Sequence, residues 1–527
     1  MFCVPGESYL PILDALHDSP IRLLSCRHEA AAANMAEAYG KLTGRPGICL
    51  VTRGPGATHA SVGVHIASQD STPMLLLVGQ VPREFRGREA FQELDYRRSF
   101  DAIAKHAGEA ESAAGLPELV AEAYATALRD RPGPVVLALP EDVLFEEADV
   151  ADAEPLEVPH VEPGDLGPLR ELLAGAERPL VIVGEGGWSA DAHRDVRRFA
   201  EVWELPVAAS FRCQDYVDNR SPSYAGHLTL GMDARLAARV QEADVVLAIG
   251  SRLGDISTKG YTLLEPPRPR QMLAFVHPDA AELRRVFEPA LPIRSDLSLF
   301  AAATAGLEPP ADRPWREWTA VARADYLANL EHRPSHGDPD LGEVFAFLRR
   351  RLPPDAIVTC GAGNFTVWVH RFYEFAEFPT QLAPRAGAMG YGLPAALTAK
   401  ALEPDRLVVC VAGDGDLMMS AAELATAVQY DLAVIVLVVD NGMYGTIRMH
   451  QERLYPGRVS GTDLVNPDFA ALAASFDWHG ENVERTEDVE PAFERAVASG
   501  RPAVVALRVD PEAIHPRFTI SELRGSA

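Results

Sequence analysis

The residues that could do chemistry concentrate in two short segments of the C-terminal third. Val411-Ala412-Gly413-Asp414-Gly415-Asp416 follows an apolar run, and Asp440-Asn441-Gly442-Met443-Tyr444-Gly445 follows another, with twenty-four residues between Gly415 and Asp440. The Asp414 carboxylate and the Asn441 amide oxygen are hard donors of the kind that Mg²⁺ takes. The glycines let backbone N–H groups come close to a phosphate, and a helix starting near Ser420 would aim its N–H groups at the same anion. A Gly-Asp-Gly triplet alone is an ordinary turn. Two strand-end turns at this spacing are a stronger signal.

Such turns need a scaffold of parallel strands, because α/β proteins gather their ligands at the carboxyl ends of those strands. Short apolar runs at 48–52, 74–78 and 135–139 read as strands buried on both faces, with amphipathic helical stretches at 29–42 and 116–128 between them. The pattern repeats with strands at 180–183 and 245–249, and again at 407–411 and 433–439. Pro-rich breaks at 151–165 and 308–314 separate the blocks. The expected fold is α/β, with three doubly wound parallel-sheet domains over 1–150, 165–305 and 325–527.

The paired motifs resemble those of the thiamine diphosphate (ThDP) enzyme superfamily. The resemblance implies that Asp414, Asn441 and the Met443 carbonyl hold Mg²⁺, with Gly413, Gly415, Asp416 and Tyr444 beside the diphosphate. In the first block, Arg27-His28-Glu29 and Gly54-Pro55-Gly56-Ala57-Thr58-His59 are similar to the acetolactate synthase-like branch. There the glutamate, here Glu29, contacts N1′ of the aminopyrimidine and assists proton removal at C2. Taken alone, Glu29 is an unremarked acid at a helix start. The resemblance puts Met389, in Gly387-Ala388-Met389-Gly390, under the bent cofactor, and the loop Gly361-Ala362-Gly363-Asn364 against the pyrimidine or diphosphate. It also implies a 2-oxoacid or acyl substrate faced by Phe91, Gln92 and Lys105, and a homodimer or homotetramer with active sites between subunits.

Departures from that branch narrow the reading. Glu7, in Pro5-Gly6-Glu7-Ser8, stands where acetolactate synthases usually have glycine, and resembles the acidic turn of pyruvate decarboxylase-like members. It could protonate the intermediate or exclude some acceptors. His450 replaces a tryptophan that shapes the acceptor pocket, Arg53 replaces a serine, and His59 an asparagine. An acetolactate synthase-like carboligase leads. A non-oxidative 2-oxoacid decarboxylase or 2-hydroxyacyl-CoA lyase follows, and a non-catalytic ThDP-binding paralogue is the alternative of another class. FAD in the central block stays open: Val183-Gly184-Glu185-Gly186-Gly187 and Ile249-Gly250-Ser251-Arg252 lack the dinucleotide fingerprint. The polar stretch 448–461 reads as a lid over the site.

The 527 residues carry 49 basic against 75 acidic side chains, a formal charge of −26 that disfavours nucleic acid and anionic membranes as partners. The six cysteines form no close pairs and there is no signal-like start, so the expectation is a reduced, cytoplasmic protein. Met1-Phe2-Cys3-Val4-Pro5-Gly6 reads as a strand end and turn, from which either a preceding short helix and part-strand or a mis-set start is expected.

Overall fold

The computed structural model describes residues 1–332, 334 and 336–525. Three six-stranded sheets form, and every strand pair within them is parallel. The first has the order β2-β1-β3-β4-β6-β5, from β1 (Phe2–Cys3), β2 (Leu24–Ser25), β3 (Gly47–Val51), β4 (Met74–Gln80), β5 (His106–Glu109) and β6 (Pro134–Pro140). The second runs β12-β11-β10-β7-β8-β9, from β7 (Pro179–Val183), β8 (Val207–Ala209), β9 (Tyr224–His227), β10 (Val245–Ile249), β11 (Met272–His277) and β12 (Leu291–Arg294). The third runs β14-β13-β15-β16-β18-β17, from β13 (Ile357–Cys360), β14 (Gln381–Leu382), β15 (Val408–Gly413), β16 (Ile435–Asp440), β17 (His479–Val483) and β18 (Ala503–Arg508).

The central strands are buried along their whole length and apolar except for Gln80 at the end of β4, because helices cover both faces. The expected fold class holds, with strand limits displaced by one or two residues. In the first domain, helix α1 (Glu29–Thr43) packs on α2 (Pro55–Asp70). Their closeness rests on small residues: a Cβ on Gly63 would lie 2.5 Å from the Ala33 Cβ. One boundary differs from expectation. Helix α3 (Arg316–Leu330) buries Ala322, Tyr326 and Leu330 in the core of the central domain, so 325–330 belong there and not to the third domain. The last domain begins at the helix Leu341–Arg351.

The first and third domains share a core. Helix α4 (Gly392–Leu402) lies against α1, and Leu393, Ala396 and Val436 join one apolar cluster with Met35, Ala36 and Leu76. A buried polar seam runs through it. The Tyr391 hydroxyl donates to Glu37 (2.6 Å), the Thr72 hydroxyl donates to the other Glu37 oxygen (2.8 Å), and Lys41 pairs with Glu37 (3.3 Å) and Asp70. No described helix is long and apolar enough to cross a membrane, and all six cysteines are free and buried.

Candidate active site

At the carboxyl end of the third sheet, helix α5 (Asp414–Met418) starts at Asp414 itself, not near Ser420 as expected from the sequence. The strand delivers Gly413 and the chain turns at once, which puts the Asp414 carboxylate on the sheet edge. Its Oδ1 accepts from the Gly415 N–H (2.8 Å); its Oδ2 accepts from the Gly442 N–H (2.9 Å) and the Asn466 amide (2.7 Å). The same Asn466 amide donates to Asp440 Oδ1 at 2.8 Å. Burial, with the Asp440 carboxylate nearby, pushes the Asp414 pKa up. Asn441 Oδ1 accepts only a 3.2 Å contact from the Met443 N–H. Two carboxylates, an amide oxygen and nearby carbonyls, with no cationic side chain among the described residues bonded to them, form an oxygen set that fits a divalent cation.

The Asp414 edge opens on a cavity of about 710 Å³, lined among others by Met389, Asn441, Met443, Tyr444 and His450, and reaching Phe211 in the central domain. Gly387 and Gly390 adopt positive φ (67° and 79°) on either side of Met389, so the backbone folds back and presents the side chain to the cavity. Asp416 also lines it, but its carboxylate accepts the N–H groups of Gly390 (2.8 Å) and Ala362 (3.3 Å), and burial pushes its pKa up to about 7. Asp416 therefore fastens two loops of the wall. Gly361 sits behind that wall, where a Cβ would meet Asp416 Oδ1 at 2.1 Å. Asn364 is committed to structure as well: its amide donates to the Ile514 carbonyl (2.9 Å) and accepts from Thr446 (2.8 Å). His450 is exposed on helix α6 (Gly445–Leu454).

A second cluster occupies the carboxyl edge of the first sheet. Glu29 opens α1, and its Oε2 lies 2.9 Å from His59 Nδ1 on α2; the His28 and His59 rings stack at 4.7 Å. The preceding Arg27 and His28 N–H groups donate to Glu423 of the third domain, both at 3.0 Å, which fixes the start of α1. Arg53 ends the β3 turn and reaches Glu7 (3.3 Å) and Glu141 (3.4 Å). Gly54 has φ +59° and passes so close to Gln92 that a Cβ would lie 2.7 Å from the Gln92 carbonyl. Gln92 itself has a positive φ of 64° and a buried Oε1 without a hydrogen-bond partner.

Residues 1–99, 167–304 and 361–507 match the N-terminal, central and C-terminal domain models of thiamine pyrophosphate enzymes. The acetolactate synthase isozyme 2 large subunit of Escherichia coli K12 is 32% identical over 97% of this chain and 92% of its own length. The large subunits from Parasynechococcus marenigrum (33% identical, 85% of that protein) and Corynebacterium glutamicum (32%, 84%) also align over 97% of the chain.

The chain is a ThDP-dependent enzyme of the acetolactate synthase-like family. Thiamine diphosphate is its cofactor, and the glycine-lined cavity above Asp414 suits a diphosphate on a divalent cation. The family resemblance leads to one correction. Lys105 stands at the amino end of β5, where its N–H donates to the Pro134 carbonyl and its ammonium donates to the Arg129 and Arg131 carbonyls. Glu141 follows the other end of β6, about 20 Å away at the usual strand rise. The segment 96–105, which opens with the short helix Tyr96–Phe100, brings the chain to the amino edge, which the Phe91-to-Lys105 spacing could not reveal. Burial lowers the Lys105 pKa to about 8. Phe91 is 76% exposed.

Three residues of the site went unnoticed in the sequence: Glu141, Asn466 and Glu423. Glu141 carried a usable signal, an acid directly after a wholly apolar parallel strand. The supposed lid at 448–461 is helical to Leu454, and Glu452 holds it through the Gly457 N–H (2.8 Å) and Arg524 (2.6 Å) of the C-terminal helix Ile520–Gly525. In the central domain the strand order reverses between β7 and β10, where dinucleotides bind in related architectures. Here a Cβ on Gly184 would lie 2.4 Å from the Ser251 Cβ, and Arg385 meets buried Glu185 at 2.5 Å. Arg385 and Glu185 thus join the third domain to the central one beside that crevice.

Proposed function

We propose that this enzyme carries out ThDP- and Mg²⁺-dependent carboligation, releasing CO₂ from a 2-oxoacid and joining the remaining acyl unit to a second carbonyl compound. ThDP supplies the electron sink that lets the bond beside the carbonyl break. In this reading Asp414, Asn441 and the Met443 carbonyl hold Mg²⁺, Met389 supports the cofactor, and Glu29 holds a proton against the pyrimidine with His59 fixing its carboxylate. The observation that carries the reading is the oxygen set at Asp414 and Asn441 under a cavity of sufficient size. Among the described residues none from 1–150 lines that cavity, so we further propose that Glu29 of one copy completes the cavity of another in a homodimer or homotetramer.

The test is to load the purified protein with ThDP and Mg²⁺, offer a panel of 2-oxoacids, and follow CO₂ and organic products by mass spectrometry. Consumption with CO₂ release supports the reading. A protein that binds ThDP with Mg²⁺ yet consumes no 2-oxoacid would sink it.

A further inference from the structure

Arg212 is a buried cation in the wall of the catalytic cavity. It follows β8 at the carboxyl edge of the central sheet, is 8% exposed, and has a left-handed backbone (φ +59°) that so large a side chain rarely adopts. Strain of this kind persists only where the surroundings impose it, and it gathers at ligand sites. The Phe211 N–H donates to the Ser257 hydroxyl (3.2 Å) and the Cys213 N–H to the Ser210 carbonyl (3.1 Å), which fixes the turn on both sides. The guanidinium lies over the Phe211 ring at 5.0 Å.

Its three nitrogens are used unequally. Nη1 donates to the Pro384 carbonyl, and Nε is enclosed without a partner. Nη2 has no hydrogen bond among the described residues and is the nitrogen left to face the cavity that Arg212 lines. The Pro384 carbonyl also accepts from the Gly387 N–H (3.0 Å), so Arg212 is tied to the turn that presents Met389. Asp416, whose carboxyl feels its charge, is bonded to the N–H groups of Gly390 and Ala362 instead.

The other arginines of the cavity are placed differently. Arg385 meets Glu185 (2.5 Å) and Arg239 meets Asp325 (2.6 Å). Arg371 donates to the Asn329 carbonyl (3.0 Å), and Arg517 reaches the Met232 carbonyl (3.5 Å) and Asp233 (3.9 Å). These last two group with Arg453 around His515, and Arg453 and Arg517 are exposed. A buried guanidinium bonded to no acid is costly until an anion reaches it. The donor's carboxylate leaves as CO₂ and needs no lasting counter-charge. An acceptor 2-oxoacid keeps its carboxylate in the product and needs a cation throughout.

We propose that Arg212 binds the carboxylate of the acceptor, a second 2-oxoacid, through Nη2. The proposal rests on the carboligase reading above. The overall change is R–CO–COO⁻ + R′–CO–COO⁻ + H⁺ → R–CO–C(OH)(R′)–COO⁻ + CO₂. The bond from the donor's carbonyl carbon to its carboxylate breaks, that electron pair forms the new bond to the acceptor's carbonyl carbon, and the acceptor's carbonyl oxygen takes the proton. Arg212 stays paired with one carboxylate from acceptor to product, in a charge-assisted bond. An uncharged acceptor leaves it stranded, which selects for the acid.

The experiment compares the loaded wild type with Arg212→Gln and Arg212→Lys. Ferricyanide reduction reads the donor step with no acceptor present, using whichever 2-oxoacid the enzyme decarboxylates. Mass spectrometry reads the 2-hydroxy-2-acyl acid as the second 2-oxoacid is varied. Calorimetry reads binding of ThDP and of 2-hydroxyisobutyrate, an unreactive acid of the acceptor's size. Arg212→Gln is expected to raise the acceptor KM at least twentyfold and to weaken 2-hydroxyisobutyrate binding as much, with the donor kcat/KM and ThDP affinity within threefold. Arg212→Lys keeps the charge and loses the planar fork, so a rise of about three- to tenfold is expected; it decides the case alone should Arg212→Gln not fold. A fall shared by the donor step, or ThDP binding weakened tenfold, gives Arg212 another ligand and overturns the proposal. An acceptor KM that Arg212→Gln leaves unchanged overturns it too, as does one raised only in Arg453→Gln or Arg517→Gln. No CO₂ from any 2-oxoacid overturns the carboligase reading and the acceptor assignment together.

Discussion

Asp414 is a carboxylate that the fold buries and then surrounds with donors too weak to neutralise it. Three N–H groups meet its oxygens, yet burial and the Asp440 carboxylate still hold its pKa up. A bound divalent cation would relieve this, and binding to the native state alone stabilises by about 2.7 kcal/mol at a hundred times Kd. Addition of Mg²⁺ with ThDP is therefore expected to raise the melting temperature, and Asp414→Ala to remove that rise; an equal rise in the variant would relocate the cation. Glu29 makes a different prediction, because its contact is with His59 and not with the Asp414 cavity. Glu29→Gln should keep ThDP affinity within a few-fold while slowing exchange of the cofactor's C2 proton at least a hundredfold, read by NMR after acid quenching. Unchanged exchange would remove Glu29 from that role.

Strands and helices were legible where burial dictates composition. Strands such as β10 and β16 are apolar on both faces because helices cover both faces, and their limits fell within a residue or two of the sequence reading. The paired turns were legible for the same reason, since a strand end that must present Asp414 or Asn441 leaves glycines beside it. What spacing could not carry was which edge of a sheet a residue reaches. Lys105 matched in residue count and landed at the amino end of β5, because the segment 96–105 returns the chain there. Lys105→Ala is accordingly expected to change kcat/KM by less than twofold while costing about 1–2 kcal/mol from its lost carbonyl bonds, by denaturant unfolding; a tenfold fall in kcat/KM would restore it to the site. Glu423 and Asn466 were illegible for a related reason. Their partners Arg27, His28, Asp414 and Asp440 are brought to them by packing between elements, which leaves no local signature.

At the scale of the whole molecule, the three domains are fastened by buried charge. Arg385 of the third domain meets Glu185 of the central domain at 2.5 Å, while its backbone N–H donates to Asp70 of the first (2.9 Å). Arg252 closes the group, reaching Glu185 at 3.2 Å and the Gln69 carbonyl at 2.5 Å. Glu185 is 1% exposed, and such a pair matters most when one member is removed, since the other charge is then stranded. Glu185→Gln is expected to cost about 3–5 kcal/mol in denaturant unfolding. The acid limb gives the same pair an independent check. Burial opposes ionisation of Glu185, but Arg385 and Arg252 outweigh it and hold the pKa down to about 2. A carboxylate depressed in the folded state binds fewer protons there than in the unfolded chain, whose value is about 4.3. Its stabilisation is complete above that value and drains as pH falls toward 2, by about 3 kcal/mol in all. The stability gap between wild type and Glu185→Gln should therefore narrow steadily from pH 5 to pH 3. A gap constant over that range would mean that shape, not charge, joins the domains at this point.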